Sequence, residues 1–262
     1  MRPGKRSADA PAAGTRSGPR PLLPALAALL LVLGVWEAAC RWFSIPDFIL
    51  PGPLQIFQTA VFNAPLLTSH AAFTGLEILA GCALSLAAAV PLAAAMFYSP
   101  QVERVLAPFL VASQAVPVFA LAPLLVVWLG YGLASKVLMA AVIIFFPITV
   151  TLLEGFKSCE PEYRTLFRLM GADFFTAFRR LYWPWALPYF FAGLKVGVSV
   201  ATIGAVIGEW VGASRGLGYL MIQANARLQV DVVFAAILYL SAMGLCLWAL
   251  VGWVEKRILT WR

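Results

Sequence analysis

The sequence predicts an all-α polytopic membrane protein with about six transmembrane helices. Of its 262 residues 62% are hydrophobic and only 12% charged, far from the half-apolar, quarter-charged balance of a water-soluble domain. Mean hydropathy is +0.87, and apolar runs about as long as a span, roughly 20 residues, recur between short polar or proline-rich intervals. That length leaves no room for a separate soluble catalytic domain. The net charge of +7 follows from topology, since no basic run is interleaved with aromatics in the manner of a nucleic-acid surface.

Residues 1–21 hold Arg2, Lys5, Arg6, Arg16 and Arg20 among Pro, Gly, Ala and Ser. Such a composition buries no core and predicts a disordered basic tail, leaving 22–262 as one membrane domain. The run 22–39 resembles a secretory leader, and Ala38-Ala39-Cys40 a lipoprotein cleavage site. Glu37, however, stands where such a site needs an aliphatic side chain, and the apolar run exceeds the usual leader core, so it reads as a retained first span. In 40–70, Pro46, Pro51, Pro53 and Pro65 break any long helix, with a short amphipathic one at 54–62. The second span is placed at 71–97 and a connection at 98–104. The third, 105–129, is expected to kink at Pro108, Pro117 and Pro123. The fourth falls at 134–153, the fifth at 189–211, an outer loop at 212–231 and the sixth at 232–254.

Lys and Arg number five in 1–21, one in 98–104, five in 154–188 and three in 255–262, against Arg41, Lys136, Arg215 and Arg227 in the outer segments. This bias of 14 to 4 puts both termini in the cytoplasm. Lys195 is left as the cation within a span and reads as snorkelling to the inner headgroups. Trp36, Trp42, Trp183, Trp185, Trp253 and Trp261 read as interfacial anchors in contact with lipid. Of the four cysteines, Cys82 and Cys246 lie in apolar runs and read as core packing, with no disulfide framework or zinc site. The single histidine, His70, reads as capping the outer end of the second span and excludes a two-histidine metal site.

Membrane charges carry a cost of about 2.5–3.5 kcal/mol on insertion scales, so each needs a reason. Glu77, two turns from the outer end of its span, is a candidate for lining a path. Glu209, at the end of the fifth span beside Gly208 and Gly212, is a candidate gate.

The long polar interval 160–188 (EPEYRTLFRLMGADFFTAFRRLYWPWALP) lies within a cytoplasmic loop taken as 154–188. Leu166, Phe167, Met170, Phe174, Phe178, Leu181 and Tyr182 recur mostly at three and four residues, with Arg164, Arg168, Arg179 and Arg180 off that stripe. Two short helices are expected, broken at Gly171, the second capped by Asp173 and ended by Pro184 and Pro188. Pattern alone also admits an amphipathic pair on the membrane surface. The aromatics with flanking arginines are the residue types that anchor protein interfaces, which favours a docking segment.

Gly171, Leu181 and Pro184 match the spacing of the cytoplasmic coupling loop of ABC importer permeases, and the chain resembles that family. Pro188 with Phe191-Ala192-Gly193-Leu194-Lys195 resembles the branch serving nitrate, sulfonates, taurine and thiamine-pyrimidine precursors. So do Leu50-Pro51-Gly52-Pro53, Pro123-Leu124 with Trp128-Leu129-Gly130, Gly208-Glu209-Trp210 and Gly216-Leu217-Gly218-Tyr219. Two departures stand out. Thr165, Leu166 and Phe167 occupy the places of the family's Glu-Ala-Ala, and Glu77 stands where many relatives carry a basic residue.

The resemblance implies a type I ABC importer permease in the bacterial cytoplasmic (inner) membrane. It assigns ATPase coupling to Arg164, Thr165, Leu166, Phe167, Arg168, Met170, Gly171, Asp173, Phe174, Phe178, Pro184 and Pro188, and a path or gate to Glu77, Glu209, Gly216 and Gly218. The implied partners are an ABC ATPase dimer, a second permease copy in a homodimer, and an extracytoplasmic solute-binding protein. No cofactor is expected in this chain: ATP and Mg belong on the partner ATPase, since no G-x-x-x-x-G-K-[ST] loop occurs here. The outer-region motifs, with Gln223-Ala224-Asn225-Ala226-Arg227, look most like permeases for hydroxymethylpyrimidine-type thiamine precursors, with sulfonate, taurine or nitrate as the alternative. An intramembrane enzyme would need convergent catalytic groups that the loops lack. A passive channel would not need the polar interval.

Overall fold

The computed structural model describes residues 22–260, which are helical throughout apart from short connections, with no strand among them. The expected basic tail at 1–21 and the anchor Trp261 lie outside the described residues. The helices are α1 (Leu22–Trp42), α2 (Pro53–Phe62), α3 (Ala64–Tyr98), α4 (Pro100–Ala115), α5 (Val118–Leu129), α6 (Leu133–Lys157), α7 (Pro161–Leu169), α8 (Phe174–Ala177), α9 (Trp183–Trp210), α10 (Leu217–Ala226) and α11 (Val230–Ile258). Five are long and apolar enough to cross a membrane, and α4 with α5, bent by 99° at their junction, make six if that pair is one span.

The centre is α6 packed between α3 and α9. Lipid tails are as apolar as the side chains, so helices associate in a bilayer by close packing and hydrogen bonds rather than by expulsion of water. Small residues supply the closeness. A Cβ on Gly81 of α3 would lie 2.7 Å from the Ala140 Cβ of α6, and one on Gly193 of α9 would collide with the Thr151 hydroxyl and stand 2.8 Å from Pro147 O. Ile78, Ala89, Ile144, Ile148, Phe191, Val198 and Ala201 fill the core these contacts enclose. Around it, α11 packs on α9, α10 and α2, and Thr59 Oγ1 donates to Asp231 Oδ2 at 2.9 Å to tie α2 to the start of α11. The first helix is peripheral, touching the body through α2 and an edge contact of Trp36 on Phe234.

Several boundaries differ from the sequence reading. Helix α3 starts at Ala64, not near residue 71, because Pro65 sits in its first turn, where a missing N–H costs nothing. The connection expected at 98–104 shrinks to Ser99, which caps α4 by accepting from Val102 N at 3.4 Å. Pro108 and Pro123 lie inside α4 and α5, and the break falls only at Val116-Pro117, where Val116 is extended (φ −77°, ψ 121°) as a residue before proline prefers.

At the polar interval, α6 continues to Lys157, and Pro184 and Pro188 do not end a helix. Pro184 sits in the first turn of α9 and Pro188 within it, while a π-helical turn, Phe178–Tyr182, joins α8 to α9. A π turn widens the helix just where the proline ring would crowd the preceding turn. The interval 212–231, read from sequence as a loop, contains α10. Cys246 is exposed and Cys82 half-buried, whereas Cys40 and Cys159 are the buried thiols.

Candidate functional site

Two clusters stand at opposite ends of α9. At its beginning, the chain leaves α6, forms α7, turns at Gly171 and enters α8. Gly171 has φ +71°, a conformation that disfavours any side chain, and the turn is closed by Ala172 N to Phe167 O (3.0 Å) and Gly171 N to Arg168 O (3.1 Å). Asp173 occupies the N-cap position of α8 but its side chain makes no capping hydrogen bond.

The aromatic residues divide by direction. Phe178 packs inward on Phe156 (5.2 Å between centroids), and Phe174 meets Tyr98 edge-on at 4.7 Å. Arg164 donates to Lys157 O and places its guanidinium over the Tyr182 ring, and Trp185 Nε1 donates to Ser158 Oγ at 3.2 Å. These contacts fasten the pair to the body. Leu166, Leu169, Met170 and Phe175 remain exposed.

Of the residues singled out in the sequence, Leu166 and Met170 thus lie on the free surface together with Thr165 and Arg168, while Phe167 is half-buried. Phe178 is a body contact, and Pro184 and Pro188 belong to α9. Leu169 (81% exposed) was missed because it falls off the three-and-four spacing, whereas Phe175 (69%), one of the arginine-flanked aromatics read from sequence as interface anchors, lies on the free surface.

At the far end of α9 four helices bring polar groups together inside the apolar body. Glu209 is 1% exposed. Its carboxylate accepts from Thr74 Oγ1 of α3 at 2.6 Å, from Gly218 N at 2.5 Å and from Tyr219 N at 3.4 Å, while Leu217 N donates to Thr74 Oγ1 at 2.9 Å. The amides at the start of α10, which have no partner within their own helix, are thereby satisfied, and the carboxylate lies at the favourable end of the helix dipole. Gly216 has φ +114°, and a Cβ there would overlap the Glu209 carboxyl; one on Gly218 would come within 2.9 Å of Glu209 Oε2. Only glycine admits the acid at either place.

His70 does not cap an outer helix end. It lies within α3, its Nδ1 3.0 Å from Gly216 N and 2.9 Å from Gly216 O, the tautomer deciding which bond forms. Lys136, assigned from sequence to an outer loop, is 3% exposed within α6. Its ammonium donates to Tyr131 O (2.5 Å), Gly132 O (3.0 Å) and Gly212 O (3.2 Å). Lys195 is paired with Glu255 and sits over the Trp248 ring.

Glu77 is 5% exposed, its carboxyl against that of Glu209 and its Oε2 without a partner among the described residues. Beside it is a hollow of about 240 Å³ lined by Phe73, Glu77, Tyr131, Lys136, Ser214 and Arg215, among others. Among the described residues no three His, Cys, Asp or Glu converge to hold a metal ion.

A helical body with one fastened amphipathic pair and a buried polar junction defines a multi-pass membrane subunit built around packed spans. The chain belongs to the family described as binding-protein-dependent transport system inner membrane component, which matches residues 81–260. It is 42% identical over 238 residues (91% of this chain, 97% of the relative) to a probable ABC transporter permease protein of Haemophilus influenzae. It is 40% identical over 234 residues (89% and 93%) to the formylaminopyrimidine transport permease protein ThiX of Halalkalibacterium halodurans. A third relative, the riboflavin transport system permease protein RibX of Chloroflexus aurantiacus, is 36% identical over 236 residues (89% and 88%). Permeases named for taurine and aliphatic sulfonates match less closely. The protein is an ABC transporter permease, a transport subunit rather than an enzyme.

Proposed function

We propose that the chain is the membrane subunit of an ATP-driven importer, that α7, Gly171 and α8 are its contact with an ABC ATPase, and that its solute is an aminopyrimidine. The observation that carries the coupling role is the free apolar surface of Leu166, Leu169, Met170 and Phe175 on a segment otherwise tied down by Arg164, Phe174, Phe178 and Trp185. Apolar and aromatic residues rimmed by arginines suit a protein interface.

In this reading ATP and Mg bind the partner ATPase dimer, a second copy of this chain completes the path, and a solute-binding protein delivers the solute from outside. Both termini and the 154–188 loop face the cytoplasm, in keeping with the basic-residue bias. The aminopyrimidine follows the 40% identity to a permease named for formylaminopyrimidine. The anionic alternatives, taurine, sulfonate and nitrate, are less well supported, because Lys136 and Lys195 are both engaged by groups of this chain.

The test is Gly171→Val in the assembled transporter. A β-branched residue at φ +71° strains the turn by about 1–2 kcal/mol and re-aims α7, with open space around the position. ATP-dependent uptake of the aminopyrimidine should fall together with co-purification of the ATPase. Undiminished uptake and co-purification would sink the coupling assignment.

A further inference from the structure

We infer that Glu77 holds a proton inside the membrane body and donates it to the Glu209 carboxylate, so that the seat of α10 is completed by one bound proton. The inference rests on the packing of the polar junction and holds whatever the chain transports.

The charges of the junction set the count. Glu77 and Glu209 are both buried, and their carboxyl groups meet side chain to side chain. Two carboxylates in contact repel, and away from water neither is relieved by hydration, so a pair placed this way keeps one proton between its members. The buried cation that acts on both is Lys136. With both acids ionised the enclosed group would carry a net negative charge; with one proton retained, one carboxylate balances one ammonium. Arg215 is exposed, where water and salt screen its charge, and its guanidinium lies over the Phe73 ring at 4.9 Å.

The donors decide which acid holds the proton. Glu209 accepts from the Thr74 hydroxyl and from Gly218 N and Tyr219 N at the start of α10, bonds that an ionised acceptor makes best. Glu77 has no such set. Its Oε2 finds no donor among the described residues, and the three donors of the Lys136 ammonium go to the carbonyls of Tyr131, Gly132 and Gly212. A carboxylate oxygen buried without a donor is costly, whereas a carboxylic acid is itself a donor. Protonated, Glu77 has the Glu209 carboxylate as its acceptor and needs no ligand to satisfy it. The titratable and charged groups around it are Glu209 from α9, Lys136 from α6, Tyr131 from the connection between α5 and α6, and Arg215 from that between α9 and α10. On its own helix His70 is bound at Gly216, and α11 presents the Met243 thioether to Gly75.

Infrared spectroscopy of the full chain at about pH 7, in a detergent without ester groups, should show a carboxylic-acid C=O stretch that shifts in D2O; exposed carboxyl groups, with ordinary pKa values of about 4, are ionised there and do not contribute. Glu77→Gln should remove the band. Glu77→Asp should keep a band at altered frequency, and with the wild-type spectrum it carries the test should Glu77→Gln fail to fold. Because glutamine is a neutral donor of nearly the same shape as the acid, Glu77→Gln should leave hydrogen-exchange protection at residues 217–219 within about 3-fold of wild type, whereas Glu209→Gln, which removes the acceptor's charge, should lower it by about 10-fold or more. No acid band in the wild type, a band undiminished by Glu77→Gln, a spectrum of Glu77→Asp identical to wild type, or greater loosening by Glu77→Gln than by Glu209→Gln would each overturn the assignment. The coupling role of the Gly171 turn is read by uptake and ATPase co-purification and stands or falls apart from these results.

Discussion

Replacing Glu209 with alanine should loosen the start of α10 before it affects the rest of the molecule. The wild-type carboxylate takes the Thr74 hydroxyl at 2.6 Å and the Gly218 amide at 2.5 Å, with a longer bond from Tyr219 at 3.4 Å. Each buried donor left without an acceptor costs about 1–3 kcal/mol. The two short bonds therefore set the loss at roughly 2–6 kcal/mol, with the helix-dipole contribution within that range. Glu209→Gln keeps the volume and one accepting oxygen, so its cost should be about 1–3 kcal/mol. Hydrogen exchange on the protein in detergent reads this directly at residues 217–219. Since about 1.4 kcal/mol is a factor of ten, alanine should lower protection there by at least about 30-fold and glutamine by less. Equal protection in wild type and Glu209→Ala, or loosening spread evenly over α3, α6 and α9, would refute the reasoning.

Two further outcomes test the packing. Gly193→Ala should destabilise by about 1–3 kcal/mol, as overpacking does, because its Cβ meets the Thr151 hydroxyl and the Pro147 carbonyl of α6, whereas Gly34→Ala, with nothing within 4 Å, should be neutral; thermal unfolding in one detergent compares them, and equal midpoints would contradict the assigned contact. Lys195→Met should cost more than the double change Lys195→Met with Glu255→Gln, since the single change strands a half-buried carboxylate; strictly additive losses in a double-mutant cycle would show that the two charges do not interact.

The spans were legible because a bilayer imposes one simple demand, a long apolar run, and composition reports it. Span ends were less so. Pro65 and Pro184 look like terminators in a sequence, yet each sits in a first turn where no donor is needed, and a string of letters does not say on which side of a proline the helix lies. Gly171 was legible as a turn because its positive φ is a local property. The polar junction was legible only one residue at a time. Glu77 and Glu209 stood out as isolated charges, but Lys136 was taken for a loop cation because it lies three residues from the start of α6, and nothing local says that Tyr131, Gly132 and Gly212 curl back around it. Thr74 gave no signal and His70 only that of a helix cap: their partners are more than 130 positions away, and only packing brings them together. The helix α10 was hidden for a related reason, since its first amides are satisfied by side chains from α3 and α9 rather than by a capping residue of its own.

The unbroken run from Phe174 through the π turn to Trp210 makes one rod of 37 residues, on the order of 55 Å at 1.5 Å per residue. Its two weak points, the π turn and Pro188, both lie in its first half, and from there to Glu209 every turn is regular helix. Such a rod flexes near one tip and is stiff towards the other. A tilt imposed at the soft end is carried along the stiff part as rigid rotation, and the Glu209 carboxylate, clasped to α3 and α10, is where that lever arm delivers its displacement.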